Sequence, residues 1–360
     1  MKQTLLHQKH LQLNAKMTEF QGWQVPSQYA DAQEEYHAVR TAAGLFDISC
    51  LGRIEISGSD AAALLQKTFT RNLSKMAEGS AHYGFFCNES GFILDDAVLV
   101  RQPEGGAYLL STNPMNTEKI IAWLKQNVSK DTTISDVTKT TCQLALQGPQ
   151  ALRILESLAG QHFKKIRART ARVLPLLDTP VLTSRTGYTG EHGYEFIVPA
   201  ERCETFWDAV LNAGRPFGLQ PCGFTARDIL RMEMGYLLYG NDLDETRTPL
   251  EAGLASFVDF KKDFIGKDAL AKLKAAETKQ MIAGFVLLDK GVPKNGASIF
   301  SENREIGVVT SGGHSPHLRS DIGLGYVVNR YALPGQEIEI EVRDREIAAK
   351  IVELPFYKKK

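Results

Sequence analysis

The sequence predicts an α+β protein of more than one domain, with two α+β units followed by a small β-barrel or sandwich. Three observations lead there. At 360 residues the chain exceeds the ~250–300 residues beyond which a single hydrophobic core stops growing. Up to about residue 276, stretches of period-two alternation are interleaved with stretches of helical spacing. Beyond it the chain breaks into short apolar runs separated by Gly, Pro and Asn, the pattern of a compact all-β module.

Residues 52–58 alternate Ile54 and Ile56 with polar side chains and end at Ser59-Asp60, a helix cap, so a strand feeds a helix over 61–69. Residues 83–100 hold two apolar runs joined by Asn-Glu-Ser-Gly, a turn-rich joint between strands, and 107–113 add a third strand. Helical spacing returns over 116–128 through Ile120, Ile121, Trp123 and Leu124. The pattern then recurs in kind, without a sequence repeat: a strand over 141–149, a helix over 149–160 and a hairpin-like pair within 180–199. Helices are expected over 201–214 and 225–240. The second opens with Thr225 three positions before Asp228, like a capping box, which puts Arg227 in the first turn. A charged helix over 268–280 leads to the terminal strands 281–288, 297–300, 305–313, 322–328, 336–342 and 346–354.

Hydrophobic residues make up 43% and charged residues 23% of the chain, ordinary for a globular protein and remote from disorder, collagen or coiled coil. The 42 basic and 42 acidic residues cancel, leaving no global field to attract nucleic acid or an anionic membrane. The lysine run 358–360 reads as a solvated tail. Cys50, Cys87, Cys142, Cys203 and Cys222 are odd in number and contain no C-x-x-C pair, so neither a disulfide framework nor a zinc ribbon is expected. A reducing, cytoplasmic setting fits. Residues 1–16 lack the apolar core of a signal peptide, and no apolar run reaches the ~18 residues of a membrane span.

Asp95 and Asp96 follow a glycine turn and precede the apolar run Ala97–Val100. Side chains alternate along a strand, so one carboxylate faces the interior and the other stays near water. A carboxylate against apolar neighbours, with a like charge adjacent, has a raised pKa and can exchange a proton or steady a transient cation. Taken alone, such a pair more often forms turns and caps. Residues 184–196 place Arg185, Tyr188, Glu191 and Glu195 among three glycines, which permit close approach to a flat ligand; an ordinary hairpin with exposed charges is the plainer alternative. The spacing matches neither G-x-G-x-x-G nor a Walker loop. Arg227 adds charge to the positive end of a helix, suited to a carboxylate or phosphate, or else pairs with Asp228 or Glu233. His314 and His317 lie in a Gly/Pro turn better explained as an exposed loop than as metal ligands.

Read in order, these residues resemble the aminomethyltransferase (T-protein) family of the glycine cleavage system. The matching motifs run nearly end to end. They include Phe20, Gly22, Trp23, Pro26 and Tyr29 of F-x-G-W-x-x-P-x-x-Y; H-A-V-R and G-L-F-D-I-S within 37–49; N-E-x-G with D-D at 88–96; L-Q-G-P at 146–149; and S-R-T-G-Y-T-G-E-x-G-Y-E at 184–195. A-R-D-x-L-R-x-E at 226–233, L-Y-G-x-D-x-D-E at 238–245, P-L-E-A-G-L at 249–254, D-F-I-G-K at 263–267 and T-S-G-x-x-S-P at 310–316 complete the series.

The resemblance implies a three-lobed fold around a central folate funnel, with residues 1–50 and 140–240 in one domain, 51–139 and 241–275 in a second, and 276–360 as the barrel. It implies transfer of the methylene of an S-aminomethyl-dihydrolipoyl group, carried by a lipoylated carrier (H) protein, to tetrahydrofolate as co-substrate, with release of ammonia and no metal. By the same resemblance Asp96 is the catalytic carboxylate and Asp95 structural. Tyr83, Asp96, Tyr188, Glu195, Arg227 and Tyr236 contact the folate, with Glu195 matched to the paired N–H donors of the pterin edge. The chain departs from the family pattern at Cys50, where a histidine is usual, at Phe92, where a second glycine is usual, and at Lys294, where an arginine is usual. Related scaffolds include folate-dependent demethylases of small methyl donors and a non-catalytic folate-binding iron–sulfur assembly factor. The assembly factor's K-G-C-Y-x-G-Q-E segment is replaced here by Asp263-Phe264-Ile265-Gly266-Lys267.

Overall fold

The computed structural model describes residues 1–128, 130–343 and 345–359, so the last residue of the terminal lysine run lies outside the described residues. The chain divides into two units, one of residues 1–84 with 95–227, the other of 85–94 with 228–360.

In the first unit, a six-stranded sheet runs in the order Ala171–Leu176, Thr179–Ser184, Gly193–Pro199, Thr141–Gln147, Ala43–Asp47, Leu219–Pro221. All its pairings are antiparallel except that of Leu219–Pro221 with Ala43–Asp47. The helix Ala151–Ala159 buries Ala151, Ile154 and Leu155, an i, i+3, i+4 stripe that turns one face to the core. The helix Cys203–Gly214 adds Phe206, Trp207 and Val210 to the same cluster. Within it Cys142 and Cys203 are joined as a disulfide, Cα to Cα 6.1 Å. This corrects the expectation of unpaired thiols: the strand and the helix that bring the two together are 61 residues apart in sequence, beyond the reach of a spacing rule.

A five-stranded sheet follows the order Ala81–Cys87, Ile93–Arg101, Tyr108–Thr112, Gly52–Ser57, Thr133–Asp136. The helices Ala61–Thr68 and Thr117–Asn127 bury Leu64, Leu65, Ile120 and Leu124, the spacing expected of one apolar face. Arg53, fully buried on Gly52–Ser57, donates to the carbonyls of Ser49, Leu51, Thr138 and Thr141 and so fastens the segment 49–51 in place.

The second unit includes 85–94, the turn end of the hairpin that carries the two aspartates. There Gly91 takes the positive φ of 83°, and Asn88 Oδ1 accepts from the amides of Ser90 and Phe92. Phe92 needs no left-handed conformation, so it is tolerated where a glycine is usual. A closed barrel is formed by Gln280–Leu287, Ser320–Val328, Arg304–Ser315, Ser298–Ser301, Glu337–Glu341 and Glu346–Val352 in that order around the ring. Alternation is plain in Glu337–Glu341, where Ile338 and Ile340 point inward and the glutamates outward.

Two helices are shorter than their patterns suggest. The helix Phe224–Glu233 stops well before residue 240, because Gly235 adopts φ 66° and Arg231 Nη1 binds both the Tyr236 carbonyl and Asp242 Oδ2. Leu237, Leu238 and Tyr239, which look helical in sequence, are buried in irregular chain, Tyr239 forming an isolated bridge with Leu243. The helix Lys267–Ala276 ends at Glu277 with φ 61°, and the first barrel strand begins at Gln280. No helix among the described residues is long and apolar enough to cross a membrane.

Candidate functional site

On the strand Ile93–Arg101, alternation separates the two aspartates. Asp95 is fully buried and Asp96 partly exposed. Asp95 accepts from the Asn113 backbone amide (3.1 Å), Asn113 Nδ2 (2.9 Å) and Asn116 Nδ2 (2.6 Å). Burial, then the neighbouring charge of Asp96, push the Asp95 carboxyl well above the usual carboxylate range despite those donors. Asp96 accepts from Asn113 Nδ2 on Oδ1 (2.8 Å) and from the Tyr83 hydroxyl on Oδ2 (3.0 Å). Burial, then Asp96, raise the Tyr83 phenol well above its ordinary value, so it remains a donor. The result is one carboxylate sealed off and one presented with its orientation fixed from both sides.

The second half of the site is the loop between Thr179–Ser184 and Gly193–Pro199. Glu195 Oε2 accepts from the Thr186 hydroxyl (3.0 Å), which also pairs with Ser184 Oγ (2.7 Å). Burial raises the Glu195 carboxyl, while Thr186, the positive charge of Arg227 and a hydrogen bond from Gln143 act against that rise. Gln147 fills the middle of the loop: its Nε2 donates to the Thr186 carbonyl (3.2 Å) and its Oε1 accepts from Thr189 Oγ1 (2.9 Å). A Cβ at Gly187 or Gly193 would overlap Gln147, which is why glycines stand there. Arg40 clamps the far side through the Thr189 carbonyl (2.7 Å) and Glu191 (3.0 Å).

Arg227, near the start of its helix, lies over the Tyr188 ring at 4.7 Å from guanidinium carbon to centroid. The buried carboxylate of Glu35 binds the Gly223 amide (2.7 Å) and the amides of Tyr29 and Ala30, anchoring the chain just ahead of that helix. A small pocket beside Arg227 is walled by Phe20, Val25, Phe46, Cys50, Leu51 and Phe224. Burial pushes the Cys50 thiol up to about 12, so it is a packing residue and no thiolate nucleophile.

Five of the six residues singled out for the ligand therefore converge within the first unit. Tyr83 touches Asp96, lies within electrostatic reach of Tyr188, and Tyr188 underlies Arg227, whose charge acts on Glu195. Tyr236 lies in the second unit, its backbone tied to Arg231 and the residue 38% exposed. Arg185 and Glu191, anchors by pattern, bind within the protein, to the Ile166 carbonyl and to Arg40. The suggested pairing of Asp228 goes to Arg231 (2.8 Å), and Glu233 accepts from Ser315. His314 bonds Asp321 at the surface, and no metal-binding cluster occurs among the described residues. Sequence reasoning missed Asn113, Asn116, Gln143 and Gln147. Only Asn113, an asparagine before proline at the end of an apolar strand, carried a local signal, and it pointed to a turn.

Residues 6–262 match the GCVT N-terminal domain, and residues 280–358 match the glycine cleavage T-protein C-terminal barrel domain. The aminomethyltransferase of Caldanaerobacter subterraneus subsp. tengcongensis is 41% identical over 362 residues, covering 100% of this chain and 96% of that protein. That of Desulforamulus reducens is 42% identical over 360 residues, covering 100% and 99%. Among solved structures, the glycine cleavage system aminomethyltransferase T of Bartonella henselae superimposes with a TM-score of 0.92 at 29% identity, over 99% of this chain and 98% of that one. The fold and these relatives thus define an α+β protein with a C-terminal barrel, of the class that includes the aminomethyltransferases. The chain belongs to the glycine cleavage T-protein family.

Proposed function

We propose that this protein is a tetrahydrofolate-dependent aminomethyltransferase, moving the methylene of an S-aminomethyl-dihydrolipoyl carrier to folate with release of ammonia. The observation that carries the reading is the Asp96 carboxylate, oriented by Tyr83 and Asn113 and set in one unit with Glu195, Tyr188 and Arg227.

The residues suit a reduced pterin. A partly buried carboxylate such as Glu195 accepts two parallel N–H donors, the pattern of the pterin amino edge. Tyr83 and Tyr188 offer flat surface, and Arg227 a fixed positive charge for a carbonyl or carboxylate of the ligand. Folate supplies the nitrogen that accepts the one-carbon unit. Positive charge that develops beside this nitrogen is stabilised by Asp96, which also holds or takes the proton released there. Tyr83 and Asn113 keep the Asp96 oxygens from turning away. Asp95, held toward its neutral form, spares the site a second negative charge that would compete for the same proton.

The test is ammonia release with tetrahydrofolate and the aminomethylated lipoyl carrier, run beside a panel of small methyl donors. Turnover with the carrier is expected. Turnover with a methyl donor and none with the carrier would replace this reading by a demethylase.

A further inference from the structure

We infer that Thr186 is a positioning residue for Glu195: its hydroxyl, held by Ser184, fixes the carboxylate so that it faces the N–H edge of the folate ring. The inference rests on the folate reading above and extends it to residues outside the ligand's contact set. Ser184 and Glu195 are direct partners in the antiparallel pairing of Thr179–Ser184 with Gly193–Pro199, so their side chains leave the same face of the sheet. Thr186 Oγ1 lies 3.0 Å from Glu195 Oε2 and 2.7 Å from Ser184 Oγ. An ionised carboxylate only accepts, and a threonine hydroxyl has a single proton to give. Facing ionised Glu195, Thr186 therefore donates to it and accepts from Ser184, and the row of three side chains has one direction. The Thr186 carbonyl is tied as well, by Gln147 Nε2 (3.2 Å), so the hydroxyl is aimed from a residue anchored at its backbone.

Thr186 occupies one acceptor position on Oε2. A carboxylate offers about four such positions across its two oxygens, so each oxygen keeps a lone pair for one of two parallel N–H donors. On the neighbouring strand Glu195 is paired with Ala145, whose methyl offers no hydrogen bond. Removing the Thr186 donor lets the carboxyl plane turn about its terminal torsion, which is broad and weakly restrained, and the paired presentation is lost. Burial also opposes the charge on Glu195, and Thr186 is foremost among the groups acting against it.

Two variants separate a donor from a packing residue. Valine has the shape of threonine without the hydroxyl; serine keeps the hydroxyl and loses the methyl. Tetrahydrofolate affinity by calorimetry should fall about 10-fold in Thr186→Val, the size of a lost hydrogen bond to a charged group, and stay within about 3-fold in Thr186→Ser. In the ligand-free protein, the ¹³C carboxyl signal of Glu195, assigned by its loss in Glu195→Gln, should shift in Thr186→Val and return in Thr186→Ser. A packing role predicts the reverse order, with Thr186→Val harmless and Thr186→Ser impaired. That order, equal losses in both variants, or a carboxyl signal unmoved by Thr186→Val would overturn the inference. If the signal moves as expected but the unaltered protein binds no folate, the positioning stands and the folate reading fails.

Discussion

A fully buried carboxylate beside a second carboxylate resists charging, and Asp95 meets both conditions. This has a consequence for stability. Because its pKa is raised on folding, the unfolded chain releases the Asp95 proton first as pH climbs, so this residue's contribution falls from the usual carboxylate pKa up to the raised one and then levels off. Asp95→Asn, nearly isosteric with the neutral acid, should remove that downward slope; denaturant midpoints for both proteins across pH 4 to 8 measure it, and parallel curves would show that Asp95 is ionised in the fold. Glu195→Ala should weaken folate binding by ~1.5–3 kcal/mol, the worth of a charge-assisted pair. Calorimetry that finds the affinity unaltered removes Glu195 from the site.

At the scale of the element, the loop 185–192 is held from within by Gln147 and from outside by Arg40. Gln147→Ala leaves the Thr189 hydroxyl and the Thr186 carbonyl without that partner, and should cost about 1–3 kcal/mol of stability in urea and loosen Tyr188 and Glu195 together. A folate affinity that survives such a loss would show the loop is not what positions them. The strands and the barrel were legible in the sequence because two-residue alternation and glycine-rich breaks are local signals; Ile338 and Ile340 pointing inward is the plainest case. The division of Asp95 from Asp96 followed from the same alternation. What stayed hidden was long-range: Asn113 reaches the aspartates across a strand pair, and Gln147 reaches Thr186 and Thr189 from another strand. The over-long helix at 225–240 failed differently. Leu237 and Leu238 keep helical spacing, but the turn at Gly235 and the Arg231–Asp242 pair lead them off the helix as irregular chain.

For the molecule as a whole, the second unit is organised around that ion pair. Arg231 Nη1 and Asp242 Oδ2 lie 2.6 Å apart with neither side chain exposed beyond 1%. Ser311 and Thr310 donate to Asp242 Oδ1, and the Tyr326 hydroxyl to its carbonyl, so helix end, turn and barrel meet at one buried charge. Arg231→Met strands Asp242 and should cost about 3–5 kcal/mol, the usual effect of breaking a buried pair from one side; a thermal melt lowered by no more than a surface substitution would contradict it. The family relationship spans both units, since the N-terminal match ends at residue 262 and the barrel match begins at residue 280.

Asp96, in the proposed reaction, serves transfer more than binding. The most direct measurement of that role pairs two numbers for Asp96→Asn: tetrahydrofolate affinity by calorimetry, and ammonia release from the aminomethylated carrier. Affinity should stay within several-fold, since Glu195, Tyr188 and Arg227 remain, while transfer should fall on the order of 10²-fold or more, as for loss of an electrostatic or proton-handling group. Turnover equal to that of the unaltered protein would contradict a catalytic role for this carboxylate.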